Sequence, residues 1–414
     1  MKKQIQAACF LMITGLFLAS CNSSNTADLQ NGIWRASLKT ATGVEIPFNF
    51  EMADSAGKKH LDIINGKERF RVNEIQTDGD SIIIQMPLFD SEIRVAHRGK
   101  TLDGRWIKHL ASTDVSMPFK AEQGADWRFF KAKSEAKVDL NGKWSVTFIA
   151  EETKDTTLAI GQFEQQGSKL YGTFLTSTGD YRFLEGTVSG DKFYLSCFDG
   201  SHAYLFSGKV NGNSITDGKM YSGYTAIENW TAQKDEQAVL PDAYSLTGLK
   251  PGYTNIDFSF PDLEGKQVSL KDETFKNKVV VVQFFGSWCP NCMDETAFMV
   301  PFYNKYKDKG LAVVGLAYER TTDKERSTKN VKRLKDRFKV NYPLLLTGYT
   351  SEKGEVVKSI PALKEFMAFP TTIIIDKKGT VRKIHTGFSG PGTGKYYTEF
   401  AEEFEKLITD LLAE

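Results

Sequence analysis

The feature that most restricts what this chain can fold into is the run Val279 to Phe285, followed after three residues by Cys289-Pro290-Asn291-Cys292. An apolar run of that length, broken only by Gln283, fits a strand buried on both faces of a sheet. The spacing turns helical from Cys289 to Tyr306, so the cysteine pair falls on the first turn of a helix. Unsatisfied N–H groups and the positive end of the helix dipole stabilise a thiolate at that place.

The alternation of strand and helix continues downstream. Leu311 to Tyr318 is a second buried strand, and Val331 to Phe338 has helical spacing. Thr371 to Ile375 and Val381 to Ile384 make a hairpin around Asp376-Lys377-Lys378-Gly379, and Tyr396 to Leu412 is a long amphipathic helix. That order predicts an α/β thioredoxin fold, a central mixed sheet flanked by helices. A Cys-x-x-Cys pair is also half of a zinc site, which needs two more ligands at close spacing. The five histidines, His60, His97, His109, His202 and His385, are scattered and supply none. We therefore expect no metal and no other cofactor, the redox-active dithiol of Cys289 and Cys292 being sufficient. A bridge enclosing two residues removes little entropy from the unfolded chain, which makes it a poor staple and a convenient switch.

The N-terminus places that switch outside the cytoplasm. Met1-Lys2-Lys3, a mostly apolar run from Ile5 to Leu18 and Leu18-Ala19-Ser20-Cys21 read as a secretory signal, too short to span a membrane comfortably. Its ending resembles the bacterial lipobox, which implies that Cys21 is acylated and becomes the first residue of the mature protein. Acyl chains contribute about 0.8 kcal/mol per buried methylene, so such a cysteine anchors the chain to a lipid membrane without a spanning helix. The expected location is the cell envelope, facing the periplasm. Of the five cysteines only Cys197, Cys289 and Cys292 then remain as thiols, and Cys197, in a strand-like aromatic run, reads as a small core residue. Lys and Arg number 53 against 52 Asp and Glu. No basic surplus exists to neutralise a phosphate backbone, so nucleic acid is set aside as a partner.

Before the α/β region the chain is all β. Short alternating segments punctuated by Gly, Asp and Asn run from about Leu29 to Thr231, the pattern of antiparallel strands and tight turns. The pattern is duplicated. Asn31-Gly32-Ile33-Trp34 recurs as Asn141-Gly142-Lys143-Trp144, Asp78-Gly79-Asp80 as Ser189-Gly190-Asp191, and Phe119-Lys120-Ala121 as Trp230-Thr231-Ala232, at a shared offset of about 110 residues. We read two related meander or barrel-like modules. The Gly-x-Trp openings resemble the first strand of lipocalin-like barrels, though an aromatic core residue is the plainer reading. The expected organisation is a signal over 1–21, a tether over 22–28, modules over 29–131 and 138–235, a polar linker over 236–251 and a redox domain over 252–414, with the chain from about residue 245 onward complete enough in pattern to fold and reduce disulfides alone.

From Gly252 onward the residues also carry a family resemblance. Ile256-Asp257-Phe258, Asp262 to Leu270, Asn277 to Cys292, and Phe369-Pro370-Thr371-Thr372-Ile373-Ile374-Ile375-Asp376 are similar to the TlpA/ResA-type thioredoxin-like thiol-disulfide oxidoreductases. The resemblance implies that Cys289 is the exposed nucleophile, Cys292 the resolving thiol, and Trp288, Pro290, Phe369 and a cis Pro370 the surface presented to an extended substrate. It implies that Glu295 exchanges protons with the cysteines, with a pKa raised by burial. The implied partners are disulfide-containing exported proteins and a membrane thiol-electron donor. This sequence departs from cytoplasmic thioredoxins at Gln283, where those carry a buried Asp. Two other functions are weighed beside disulfide reduction. A thiol peroxidase of the peroxiredoxin-related type needs Thr or Ser three residues before its cysteine, where Gly286 stands, and a binding lipoprotein would use the β-modules as its main function. Two segments are expected to be passive: the basic run Lys329 to Lys339, as a solvated helix face, and Gly390 to Lys395, which lacks P-loop spacing, as a flexible connector.

Overall fold

Alternating apolar residues and tight glycine turns produce nine antiparallel strands between Gly32 and Gln123 in the computed structural model, which describes residues 29–132 and 134–414. Cys21, the signal and the tether lie outside the described residues. The opening strand, Gly32–Lys39, pairs on one side with Glu45–Ser55 and on the other with Asp114–Gln123, so the meander curls back on its start. The ring stays open between the strands Glu68–Val72 and Glu74–Asp78, which are not paired with each other.

The second set of nine strands repeats the plan between Gly142 and Lys234 and closes it. Gly142–Ala150 pairs with Thr156–Gln166 and Ala226–Lys234, and Lys169–Thr176 bonds directly to Leu184–Ser189. The two-residue strand Gly179–Asp180 sits at the rim. The duplication extends to single atoms. Trp34 and Trp144 are fully buried. Each indole N–H donates to the carbonyl four residues earlier, Gln30 and Leu140, at 3.0 Å. Gly32 and Gly142 both take positive φ, 109° and 100°, a backbone state open to glycine. The closed ring is filled rather than hollow: Trp144, Phe148, Phe163, Phe174, Phe193 and Trp230 pack in one cluster, with Cys197 buried among them as a free thiol.

The C-terminal sheet has five strands: β1 (Val279–Phe285), β2 (Leu311–Glu319), β3 (Leu344–Thr350), β4 (Thr371–Ile375) and β5 (Val381–Thr386). Their order is β3-β2-β1-β4-β5, with β1, β2 and β3 parallel and β4 and β5 antiparallel to their neighbours. Helices α1 (Pro290–Tyr306), α2 (Lys324–Phe338), α3 (Lys353–Ser359) and α4 (Lys395–Ala413) complete the thioredoxin-like domain. Every residue of β1 is buried, as an apolar run at the centre of a sheet requires.

The three regions do not pack as separate bodies. One hydrophobic cluster runs from Trp34 and Phe48 of the first module through Phe198 and Leu205 of the second to Cys292, Met293 and Phe302 of α1. Phe198 stacks on Phe48 at 4.4 Å between ring centroids. The segment expected as a linker is held too, with Ala238 buried beside Ile160 and Leu175 and Thr247 bonded to Thr386 at 2.7 Å.

The two passive expectations are corrected, the first only in part, because Lys329, Lys332 and Lys339 are exposed as expected while the arginines of the run are not. The basic face of α2 docks on the first module: Arg337 lies 4.7 Å over the Phe70 ring and donates to the Arg71 carbonyl at 3.3 Å, while Arg333 pairs with Glu74 at 3.9 Å. Arg326 adds bonds to Asp90 at 2.8 Å and to the Leu110 carbonyl at 2.9 Å. Arg71 and Glu74 belong to the two edge strands of the sheet, and Asp90 and Leu110 to loops of the same module. The Gly390 to Lys395 segment forms a short 3-10 turn pinned to the second module, where the Gly390 amide donates to Asp180 at 2.7 Å.

Candidate active site

Cys289 ends the loop after β1 and caps α1. Its φ and ψ, −104° and 114°, are extended, and its Sγ accepts the Cys292 amide at 3.2 Å. Pro290 follows at the first helical position, where its missing N–H costs nothing. Cys289 is 6% exposed and Cys292 is fully buried, both as free thiols. The loop is clamped on the far side, because Glu319 at the end of β2 accepts from the Ser287 amide at 2.8 Å and its hydroxyl at 2.7 Å. Trp288 donates to the Tyr318 carbonyl at 3.0 Å and meets Phe369 edge-on at 5.6 Å. The Phe369–Pro370 peptide bond is cis, and the Phe369 carbonyl lies 3.8 Å from Cys289 Sγ.

Glu295 stands one turn beyond Cys292 on α1 and is 1% exposed. It accepts from Gln283 Nε2 and from the Thr372 hydroxyl, both at 2.6 Å. The Tyr342 hydroxyl in turn donates to Gln283 Oε1 at 3.3 Å. Gln283 therefore orients the carboxyl of Glu295. Burial pushes that carboxyl up to about 7 despite the two hydrogen bonds. Burial also holds the Cys292 thiol well above its ordinary range, with Cys289 and the charge of Glu295 acting in the same direction.

Sequence reasoning missed what the second module contributes. A cleft of about 390 Å³ beside Cys289 has Trp288, Asn291, Arg320 and Phe369 on one wall, and Tyr181 and Tyr204 of the β-barrel on the other. Arg182, at φ 58° on the barrel rim, is 2% exposed and reaches all three regions. It pairs with Glu68 of the first module, with Asp294 of α1 and, at 3.6 Å, with Asp199, and it donates to the Pro290 carbonyl at 3.2 Å. Asp294 is likewise raised to about 7, burial outweighing the arginine. A second strut joins Ser201 to the Trp288 carbonyl at 3.3 Å, backed by Lys108 bonded to the Ser201 carbonyl at 2.7 Å. A lone Arg in a loop carries no periodic signal, and three of its partners, Glu68, Pro290 and Asp294, lie more than 100 residues away. Among the described residues no cluster of three His, Cys, Asp or Glu is placed to hold a metal.

The Redoxin family model matches residues 250–399. The chain is 35% identical over 140 residues to the thioredoxin-like protein YneN of Bacillus subtilis, covering 34% of this chain and 74% of that one. It is 33% identical over 153 residues to the thiol-disulfide oxidoreductase ResA of Bacillus thuringiensis subsp. konkukian, covering 37% and 75%. The chain belongs to the TlpA/ResA-type thiol-disulfide oxidoreductases. Among solved structures, a putative thiol:disulfide interchange protein DsbE from Chlorobium tepidum is 24% identical with a TM-score of 0.31, covering 40% of this chain and 99% of that one. This oxidoreductase sets the family's domain behind two β-modules that the family match does not reach. As an oxidoreductase of this type it is an enzyme acting between thiols and disulfides.

Proposed function

We propose that the protein reduces disulfides of exported proteins by dithiol-disulfide exchange. The observation that carries this reading is the unequal pair on α1: Cys289 opens on a cleft beside cis-Pro370, and Cys292 is sealed beneath it. The Cys289 thiolate attacks one substrate sulfur, and the other sulfur leaves as a thiolate and takes a proton. Cys292 then gives up its proton and attacks Cys289 Sγ, which releases the reduced substrate and leaves the Cys289–Cys292 disulfide. Glu295, poised near neutrality and one turn along the helix, takes the proton that the buried Cys292 must shed. Trp288, Pro290, Phe369 and Pro370 form the ledge against which an extended substrate lies. The exchange needs no group beyond the dithiol. A lipid anchor on Cys21 holds the enzyme at the envelope facing the periplasm, where a membrane thiol-electron donor re-reduces it.

Two observations weigh against the alternatives. A Cβ at position 286 would lie 2.2 Å from the Trp288 indole nitrogen, so Gly286 leaves no room for the Thr or Ser of a thiol peroxidase. The aromatic filling of the closed barrel weighs against a ligand held at its centre. In the insulin-reduction assay, Cys289→Ala abolishes turnover, whereas Cys292→Ala accumulates mixed disulfides that resolve on a non-reducing gel. Full activity of Cys289→Ala would remove the assigned nucleophile.

A further inference from the structure

Arg320 is the one Lys or Arg among the residues lining the active-site cleft, and it makes no direct ion pair there, Glu319 and Asp90 acting on its charge only from a distance. It follows β2 directly, lines the cleft with Cys289, and lies with its guanidinium 4.8 Å over the Trp288 ring. Its Nη1 is buried and has no hydrogen-bond partner, and among the described residues no carboxylate comes within ion-pair distance of it. The adjacent Glu319 is committed to Ser287. Asp180, which also lines the cleft, is committed to the amides of Gly390 and Arg182. The rest of the guanidinium is partly exposed on the cleft wall, and a planar carboxylate is the group that such a cation pairs with best.

The opposite wall adds a limit on shape. Tyr181 and Tyr204 meet edge to face at 5.2 Å, and His202 stacks on Tyr204 at 4.7 Å, which sets a rigid aromatic barrier from the barrel across from Cys289. With Cys289 only 6% exposed in a cleft of about 390 Å³, a slender disulfide or one on an extended segment reaches the thiol most readily.

We infer that the cleft selects slender disulfides carrying a carboxylate close to the sulfur, with Arg320 as the specificity-determining residue and the second β-module as the wall that narrows access. This deepens the exchange reading above and rests on it. The chemistry is unchanged: Cys289 forms a disulfide with the sulfur held near Arg320, and the partner sulfur departs as a thiolate and is protonated. Cys292 then displaces the bound half, so that two electrons pass from the enzyme dithiol to yield two substrate thiols.

The test uses the full chain, pre-reduced and freed of reductant, mixed in single turnover with dithiodipropionate, 2-hydroxyethyl disulfide or cystamine. Each rate is divided by that of dithiothreitol with the same disulfide, which removes intrinsic reactivity. A charge-assisted hydrogen bond of ordinary strength predicts a normalised preference for the anionic over the cationic disulfide of about 10- to 100-fold. Arg320→Gln collapses that preference to about 2-fold, and Arg320→Lys keeps a part of it. A wild-type preference near unity, or one that Arg320→Gln leaves intact, overturns the proposal. If none of the three oxidises the protein while insulin is reduced, the selection proposed here fails and the exchange reading stands; if insulin is not reduced either, the exchange reading fails. A peptide dimer joined through C-terminal cysteines, compared with its amidated form and with dithiodipropionate, tells whether peptide or small acid supplies the carboxylate.

Discussion

Replacing Glu295 with glutamine keeps the size of the side chain and removes its titration. In the folded protein the carboxyl ionises near 7 rather than at an ordinary 4.5, because it is buried. Across that window the native state holds a proton that the unfolded chain has released, so this group's contribution to stability is full below 4.5 and is lost as pH rises through about 7. At about 1.4 kcal/mol per pKa unit, the wild type loses about 2.5 kcal/mol from this one group between roughly pH 5 and pH 8. Glutamine fits the same pocket: its oxygen still accepts from Gln283, and the Thr372 hydroxyl rotates to accept from its amide. Urea unfolding under reducing conditions at the two pH values therefore gives a mutant-minus-wild-type difference that grows by about 2.5 kcal/mol toward high pH, in the mutant's favour. Asp294 and Lys108 also titrate in this range, but they cancel in that difference. The same substitution lowers the apparent pKa of Cys292, which the charge of Glu295 helps to hold up, and slows resolution of the mixed disulfide. Parallel stability curves for the two proteins, or a thiol-alkylation profile unchanged by the mutation, would refute the assignment of Glu295 as the titrating group of the site.

Arg182→Met leaves Glu68, Asp199 and Asp294 facing one another without their shared cation. Breaking a buried ionic network of this kind costs about 3–5 kcal/mol, measurable as a lowered denaturation midpoint, and a loss below about 1 kcal/mol would show that the carboxylates repack without it. Cys21→Ser is expected to abolish fatty-acid labelling of the protein in cells, and equal labelling of mutant and wild type would remove the lipid anchor.

The C-terminal domain was legible because its signals are local. The strand run Val279 to Phe285 and the cysteine pair at the next helix start each carry their own period or spacing, and the duplicated Gly-x-Trp openings announced two modules of one plan. The partnership between the modules and the redox domain was not legible, since its carriers lack a pattern. Arg182 and Arg320 are single residues in loops, and the basic face of α2 reads the same whether it meets water or the carbonyls of another sheet. Glu295 was found through the resemblance. Its burial depends on Thr372, 77 positions away, which no helical wheel reveals. The Gly390 to Lys395 turn looked flexible for its glycines, yet a Cβ at Gly392 would lie 2.8 Å from the Arg182 backbone, so that glycine serves close packing.

The gap in the first ring sets the order in which this chain is able to mature. The second barrel contains all the strands needed to close and completes itself with contacts from its own sequence. The first presents two unbonded strand edges, and α2 brings Arg333 and Arg337 over both of them from as far as 266 residues downstream. Synthesised first, this module receives those contacts only after a loop of 266 residues closes. Until α2 docks, those edges are templates for pairing with another copy, so the interval before the redox domain folds onto the first module is one of exposure to aggregation.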